Sequence, residues 1–203
     1  FDDTKDGTIT RTQKGEFADG TQLTFEAVVV GIHYNEDSNY QRTGIRALYV
    51  SEVIATTIPY SGIYVYFGTS PAAVDAYSIG DLLEISGAYT EYYEASQIAN
   101  PQVSFLGTTT VPTPAVIADP TRVATVFEQA GSNWSPSTTH GPDSEAWESV
   151  LIKVENVEIT NNDLGYGIFE VSGNLAIDKQ MHYWQGSRAV GTKFQSITGV
   201  LIY

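Results

Sequence analysis

Tyrosine carries most of the chemistry this chain could offer. Thirteen Tyr stand among its 203 residues, and five of them gather in two short stretches. Tyr64 and Tyr66 lie in SGIYVYFG, where alternation turns both away from Ile63, Val65 and Phe67. Tyr89, Tyr92 and Tyr93 crowd GAYTEYYEAS, at the tip between two strand-like runs. Exposed phenol rings stack on sugar rings or on unpaired bases and add a hydroxyl for hydrogen bonding. The same five rings could instead cover the ends of a small barrel or pack against a neighbouring one. Trp134 and Trp147, at either side of a long polar loop, admit the same interdomain-packing reading.

A second candidate is the N-terminal DDTKDGTI. Asp2, Thr4, Asp6, Gly7 and Ile9 fall on the spacing of the first positions of a calcium loop. The pattern then breaks, because Gln13 stands where a bidentate glutamate is required. The stretch reads mainly as a solvated linker, with calcium at Asp2, Thr4 and Asp6 the one cofactor considered and no other expected.

Catalytic patterns are absent. His33, His140 and His182 are isolated in sequence, without HExxH, a GxSxG elbow, a P-loop or a GxGxxG run. The carboxylate pairs Glu36 with Asp37 and Asp143 with Glu145 read as solvated loop charges, since acid–base work needs a spatial separation that spacing alone does not supply. No catalytic residue is expected, and the chain is read as a non-enzyme.

Charge narrows the partners. The net charge of −14 opposes the phosphate attraction on which most nucleic-acid binding rests. Any basic groove would have to come from Lys153, Lys179, Arg188 and Lys193. No apolar run of membrane-spanning length occurs, and no basic segment precedes an apolar one, so a signal peptide is expected to have been removed already. The absence of cysteine excludes disulfides and thiolate chemistry. An acidic, cysteine-free chain rich in Thr, Ser and Tyr suits a bacterial extracellular or cell-surface protein.

The elements that must hold these residues are strands. TQLTFEAVVVGIHY at 21–34 alternates and then becomes apolar on both faces. IRALYVS at 45–51 and 62–67 supply the next two strands, and a short helix is predicted from Pro71 to Gly80. A fourth strand starts at Leu82 with a bulge at Gly87, and a fifth runs from Gln97 to Leu106, interrupted near Pro101. That order is a small Greek-key barrel of the OB type. A second helix is predicted at 123–130, a long loop at 131–148, and a long strand at 149–161.

Features then recur. GIRALYVSE at Gly44 has a counterpart in GYGIFEVSG at Gly165, and GDLLEISGAY at Gly80 one in GTKFQSITGV at Gly191. The organisation expected is a polar arm over 1–20, a first OB-like barrel over 21–107, a Pro/Thr linker over 108–122 and a second OB-like barrel over 123–203. The fold class is therefore all-β, two tandem barrels with one or two short helices; a single β-sandwich is the alternative. The second copy stops where the first continues into its last strand, which would expose an unpaired edge. The expectation is a fragment of a larger protein, or a last strand supplied by something else.

These stretches, with WESVLIKVENVEIT leading to FQSITGVLIY, resemble the tandem OB-fold accessory modules of large secreted bacterial proteins, including those attached to extracellular nucleases and phosphoesterases. The resemblance implies a non-catalytic interaction or spacer module, with other domains of the same larger chain as partners and polysaccharide or protein as ligand. A nucleic-acid-binding accessory of a secreted nuclease is the alternative it leaves open.

Overall fold

Among its described residues, 6–34, 44–69, 74–131, 133–182 and 184–202, the computed structural model is all-β with two short α-helices. The carboxylates Glu36 and Asp37 and the start of the helix expected at Pro71 lie outside them. Residues 74–76, inside that expected helix, form a turn.

Five strands close a barrel: β1 (Gln22–His33), β2 (Ala47–Ser51), β3 (Gly62–Tyr66), β4 (Asp81–Tyr92) and β5 (Ala95–Thr108). Their order around the barrel is β1-β2-β3-β5-β4, with β3 and β5 parallel and the other pairs antiparallel. Closure excludes the single β-sandwich. The barrel is filled by Leu23, Phe25, Ala27, Val29, Leu48, Val50, Ile63, Val65, Leu83, Ile85 and Ile98, all buried. Each of these side chains except Ala27 contributes about 1.5–3 kcal/mol of apolar transfer when fully buried.

Gly87 does mark a bulge, but the extra residue belongs to the partner strand. Ser86 faces Gln102 and Ala88 faces Ala99, so Asn100 and Pro101 together oppose one glycine. A Cβ on Gly87 would come within 2.5 Å of the Ile98 side chain and 2.9 Å of the Ala99 carbonyl. β5 is therefore continuous through Pro101, a bulge being one of the few places a strand accepts proline.

The N-terminal stretch is not simply a solvated arm. Helix α1 (Thr8–Gln13) packs on the barrel with Ile9 buried, and the Gln13 side-chain amide donates to the Gly62 carbonyl at 2.6 Å. Its β-branched sequence TITRTQ is a poor helix former; docking, not propensity, holds it.

The second half builds an open sheet. β9 (Leu151–Asn161) pairs with β10 (Phe169–Val171), which pairs with β11 (Leu175–Ile177), while β12 (Lys193–Val200) pairs with the other edge of β9. β6 (Ala115–Val116) adds a short parallel contact to β9. Two expectations fail here. The helix expected at 123–130 is strand β7 (Thr125–Ala130), and the expected loop holds β8 (Asn133–His140) and helix α2 (Ser144–Trp147). β7 and β8 form a hairpin of their own. Thr125, Val126 and Phe127 favour an extended chain, and β8 is polar because only its partner strand needs to recognise it.

The duplication has a geometric counterpart. Gly80 and Gly191 both hold positive φ, 94° and 85°, just before β4 and β12. Gly80 N donates to Val29 O in β1 and Gly191 N donates to Ile159 O in β9, each at 2.9 Å. β9, β10, β11 and β12 thus stand to one another as β1, β2, β3 and β4 do.

The two halves share an apolar seam. Val28, Val30, Tyr49 and Leu151 are buried together, with Tyr64, Val111, Met181 and Val200 packed against them. This explains why β1 turns apolar on both faces: its outer face is covered by the second half. Thr57 Oγ1 donates to Leu151 O at 2.7 Å, and Tyr34 N to Gln180 O at 3.1 Å, across the same junction.

Candidate functional site

The structure separates the five tyrosines. β4 and β5 are joined by Tyr93 and Glu94, with φ of 51° and 66°, a two-residue turn with both central residues left-handed. Such turns usually carry Asn-Gly, and a bulky residue there costs about 1–2 kcal/mol. Tyr92 and Tyr93 stand out from this tip, 60% and 86% exposed, with rings 4.7 Å apart and edge to face.

Tyr89 does not belong to that surface. It is 5% exposed and part of the barrel core, because it continues the odd-numbered inward row of Leu83 and Ile85. Its hydroxyl donates to Glu91 Oε1, which also accepts from Ser96 Oγ. Burial, then the bond to Glu91, pushes the phenol up to about 12.

Tyr64 and Tyr66 are both half-buried. The Tyr64 hydroxyl is 2.8 Å from His33 Nδ1, and its ring lies 5.0 Å from that of Tyr49, in the seam between the halves. Burial raises the Tyr49 and Tyr64 phenols well above their ordinary value. Tyr64→Phe keeps the ring and removes the hydroxyl, so a loss of about 1 kcal/mol is expected in urea unfolding. A variant as stable as the parent would show that the His33 contact adds nothing.

Beneath the tyrosine tip lies a carboxyl cluster the sequence did not reveal. Glu148, just after α2, is 2% exposed. Its Oε1 accepts from Ser96 N at 3.1 Å, while Oε2 is buried without a hydrogen-bond partner. Burial first, then Glu145 and Glu91, pushes this carboxyl up to about 8. Glu145 is raised by burial and by Glu91 and Glu94, against a lowering by His140. Raised in this way, Glu148 favours its protonated form, and it ties α2 to the start of β5. Spacing could not have shown this, since Glu91 and Glu148 meet only through the fold.

Of the proposed calcium ligands, Asp2 and Thr4 lie outside the described residues, and the Asp6 carboxylate is paired with Lys14 Nζ. Among the described residues no three His, Asp or Glu side chains are grouped to hold a metal. Nor do two of the candidate cations stand clear: Lys153 pairs with Glu155 at 2.5 Å, and Arg188 donates to the Gly167 and Trp184 carbonyls.

An apolar cleft of about 800 Å³ is lined mostly by the second half. Phe169, Trp184 and Phe194 form one wall, with ring centroids 5.0–6.4 Å apart. Phe127 and Trp134 approach from the β7–β8 hairpin.

No protein-family model, curated protein or solved structure matches this chain. The tyrosine tip and the cleft are both places a partner could reach. Among the described residues no helix is long and apolar enough to cross a membrane.

Proposed function

We propose that the chain is a non-catalytic, OB-like interaction module of a larger exported bacterial protein, and that its tip binds neutral polysaccharide. The observation that carries this reading is the exposed edge-to-face pair Tyr92–Tyr93 on a strained turn. Strain of this kind persists where the surrounding structure enforces it, and it gathers at functional sites. Here two long strands and the Tyr89–Glu91–Ser96 bonds hold the tip in place. Rigid aromatic faces bind sugars without ordering a loop first. Glu94, exposed beside them, offers an acceptor for sugar hydroxyls, and the net charge of −14 favours a neutral ligand over an anionic one.

The same charge, and the engagement of Lys153 and Arg188 within the fold, argue against a nucleic-acid partner. The most perturbed carboxyl, Glu148, is sealed from solvent at a structural joint, which favours binding over turnover. Protein ligands remain an outcome of the test rather than the reading itself.

A screen of neutral oligosaccharides on the purified chain, followed by calorimetry on the hits, tests this. The double variant Tyr92→Ala, Tyr93→Ala is expected to lose roughly five- to 150-fold in affinity, two stacking contacts being worth about 1–3 kcal/mol together. Its unfolding free energy should change by less than about 0.5 kcal/mol, as is usual at exposed positions. Absence of any neutral glycan ligand, or binding undisturbed in the double variant, would sink the proposal.

A further inference from the structure

The rings of the tip stand among carboxylates. Glu91 precedes Tyr92 and Glu94 follows Tyr93, and all four residues are exposed. The fold then brings acidic groups to the same place from distant parts of the chain. Asp19 Oδ1 accepts from Glu91 N at 3.2 Å, so the turn before β1 lies against the root of the tip. Glu145, exposed on α2, and Glu148, just after it, approach from the second half. Glu145 is raised by burial and then by Glu91 and Glu94, which shows how near the tip it lies.

No basic side chain is paired with this group among the described residues. The ion pairs there join Arg11 to Glu16, Lys14 to Asp6, Arg122 to Asp143 and Lys153 to Glu155, none of which reaches the tip. His140 acts on Glu145 in the opposite sense to its acidic neighbours. The innermost carboxyl adds an independent sign. Glu148 is 2% exposed, and its Oε2 is buried without a hydrogen-bond partner. Ser96 joins this carboxyl to the exposed ones, giving its N–H to Glu148 Oε1 and its hydroxyl to Glu91 Oε1. A buried acceptor left unmatched is costly, and such groups mark places with a role beyond packing.

Two aromatic faces beside unpaired carboxylates suit one kind of charge. An organic ammonium is drawn to the faces of the rings and to the carboxylates together. A bare metal ion fits less well, because it needs ligands converging at bonding distance, and no three acidic or histidine side chains of the described residues are so grouped. We propose that Glu91, Glu94 and Glu145 form a subsite for a sugar ammonium group beside the Tyr92–Tyr93 pair. The ligand is then a polymer of N-acetylated amino sugars in which some residues have lost the acetyl group. This rests on the reading of the tip as a sugar-binding surface and names the sugar. Acetylated residues present neutral faces to the two rings, and a freed amine falls among the carboxylates. Single exposed ion pairs are weak, so the selectivity comes from several carboxylates acting on one cation.

Calorimetry on the full chain tests this with one oligosaccharide in two forms, a fully N-acetylated glucosamine hexamer and the same hexamer partly deacetylated. The measurement is made at about pH 6, above the ordinary carboxylate range. The deacetylated form is expected to bind about tenfold more tightly at low salt, the combined reach of a cation–π contact and several exposed charge contacts. In about 0.5 M salt the advantage should shrink to roughly twofold, as screening requires. Glu145→Gln should reduce the low-salt ratio to about threefold or less; because the readout is a ratio, any change in folded fraction affects both ligands alike. Equal affinity of the two forms would overturn the subsite while leaving the sugar reading standing, since the acetylated form still binds. A ratio indifferent to salt, or unchanged in Glu145→Gln, would overturn it too. Hexalysine binding as tightly as the deacetylated hexamer would assign the subsite to a basic protein instead, and failure of both hexamers would remove the sugar reading and the subsite together.

Discussion

Replacing Gly62 by alanine is expected to destabilise the chain by about 2–4 kcal/mol, the upper range for overpacking a tight site. Gly62 opens β3 at the point where the barrel meets the chain leading into β9. A Cβ there would sit 2.0 Å from the Ser149 carbonyl oxygen, 2.5 Å from its carbon and 2.9 Å from the Val150 Cα. All three are backbone atoms, so no side-chain rotation relieves the clash. The second half must move, and with it go contacts that depend on its place: Thr57 Oγ1 to Leu151 O, and Tyr60 N to the Ala146 carbonyl at 2.6 Å. The Gly62 carbonyl also receives the Gln13 amide, so α1 is disturbed from the other side. In a chain of this size the loss corresponds to a fall in Tm of roughly 5–15 °C. Thermal and urea unfolding of Gly62→Ala measure it. A variant within about 0.5 kcal/mol of the parent would mean that the two halves do not approach this closely.

That joint marks the border of what the sequence could disclose. Strands with one face turned to a core announce themselves by alternation, and β1, β3, β4 and β9 were legible for that reason. Even Tyr89 could have been placed inside, since it shares the odd-numbered row of Leu83 and Ile85; its neighbours Tyr92 and Tyr93 drew it into the wrong group. Elements made by contact with something distant were not legible. α1 forms from TITRTQ because Ile9 and Gln13 find the barrel, and β8 is a strand because β7 lies beside it. The cleft had no local signal either, because its aromatic wall joins Phe169, Trp184 and Phe194 from separate segments. The Glu91–Glu145–Glu148 cluster had no local signature at all, because it joins β4 to the end of α2 through the packing of one half on the other.

That cluster carries the second large effect. The Glu148 carboxyl is raised from 4.5 to about 8 by burial and by Glu145 and Glu91, so between those values the folded chain holds a proton that the unfolded chain has released. Stability therefore falls as pH rises through this window and is level on either side of it. From pH 5 to pH 8 the contribution is on the order of 3 kcal/mol, since holding one extra proton costs about 1.4 kcal/mol for each pH unit crossed. Glu52 and Glu145 are raised by burial as well and slope the same way. Asp143, lowered by its bond to Arg122, acts in the opposite sense and only in acid below this range. Glu148→Gln keeps an oxygen for the Ser96 amide, and its new amide group can donate toward Glu91 where a carboxylate could only repel it. The variant should match the parent near pH 5 and exceed it by about 3 kcal/mol at pH 8, flattening the profile between. Urea unfolding at the two pH values decides the matter: an unchanged slope in Glu148→Gln would show that the proton taken up on folding resides elsewhere. The tyrosine tip adds a readout from function, because Ser96 and Glu91 brace it. Ionising Glu148 at high pH loosens that brace in the parent, so glycan affinity at Tyr92 and Tyr93 should weaken above pH 8 in the parent and hold in the variant.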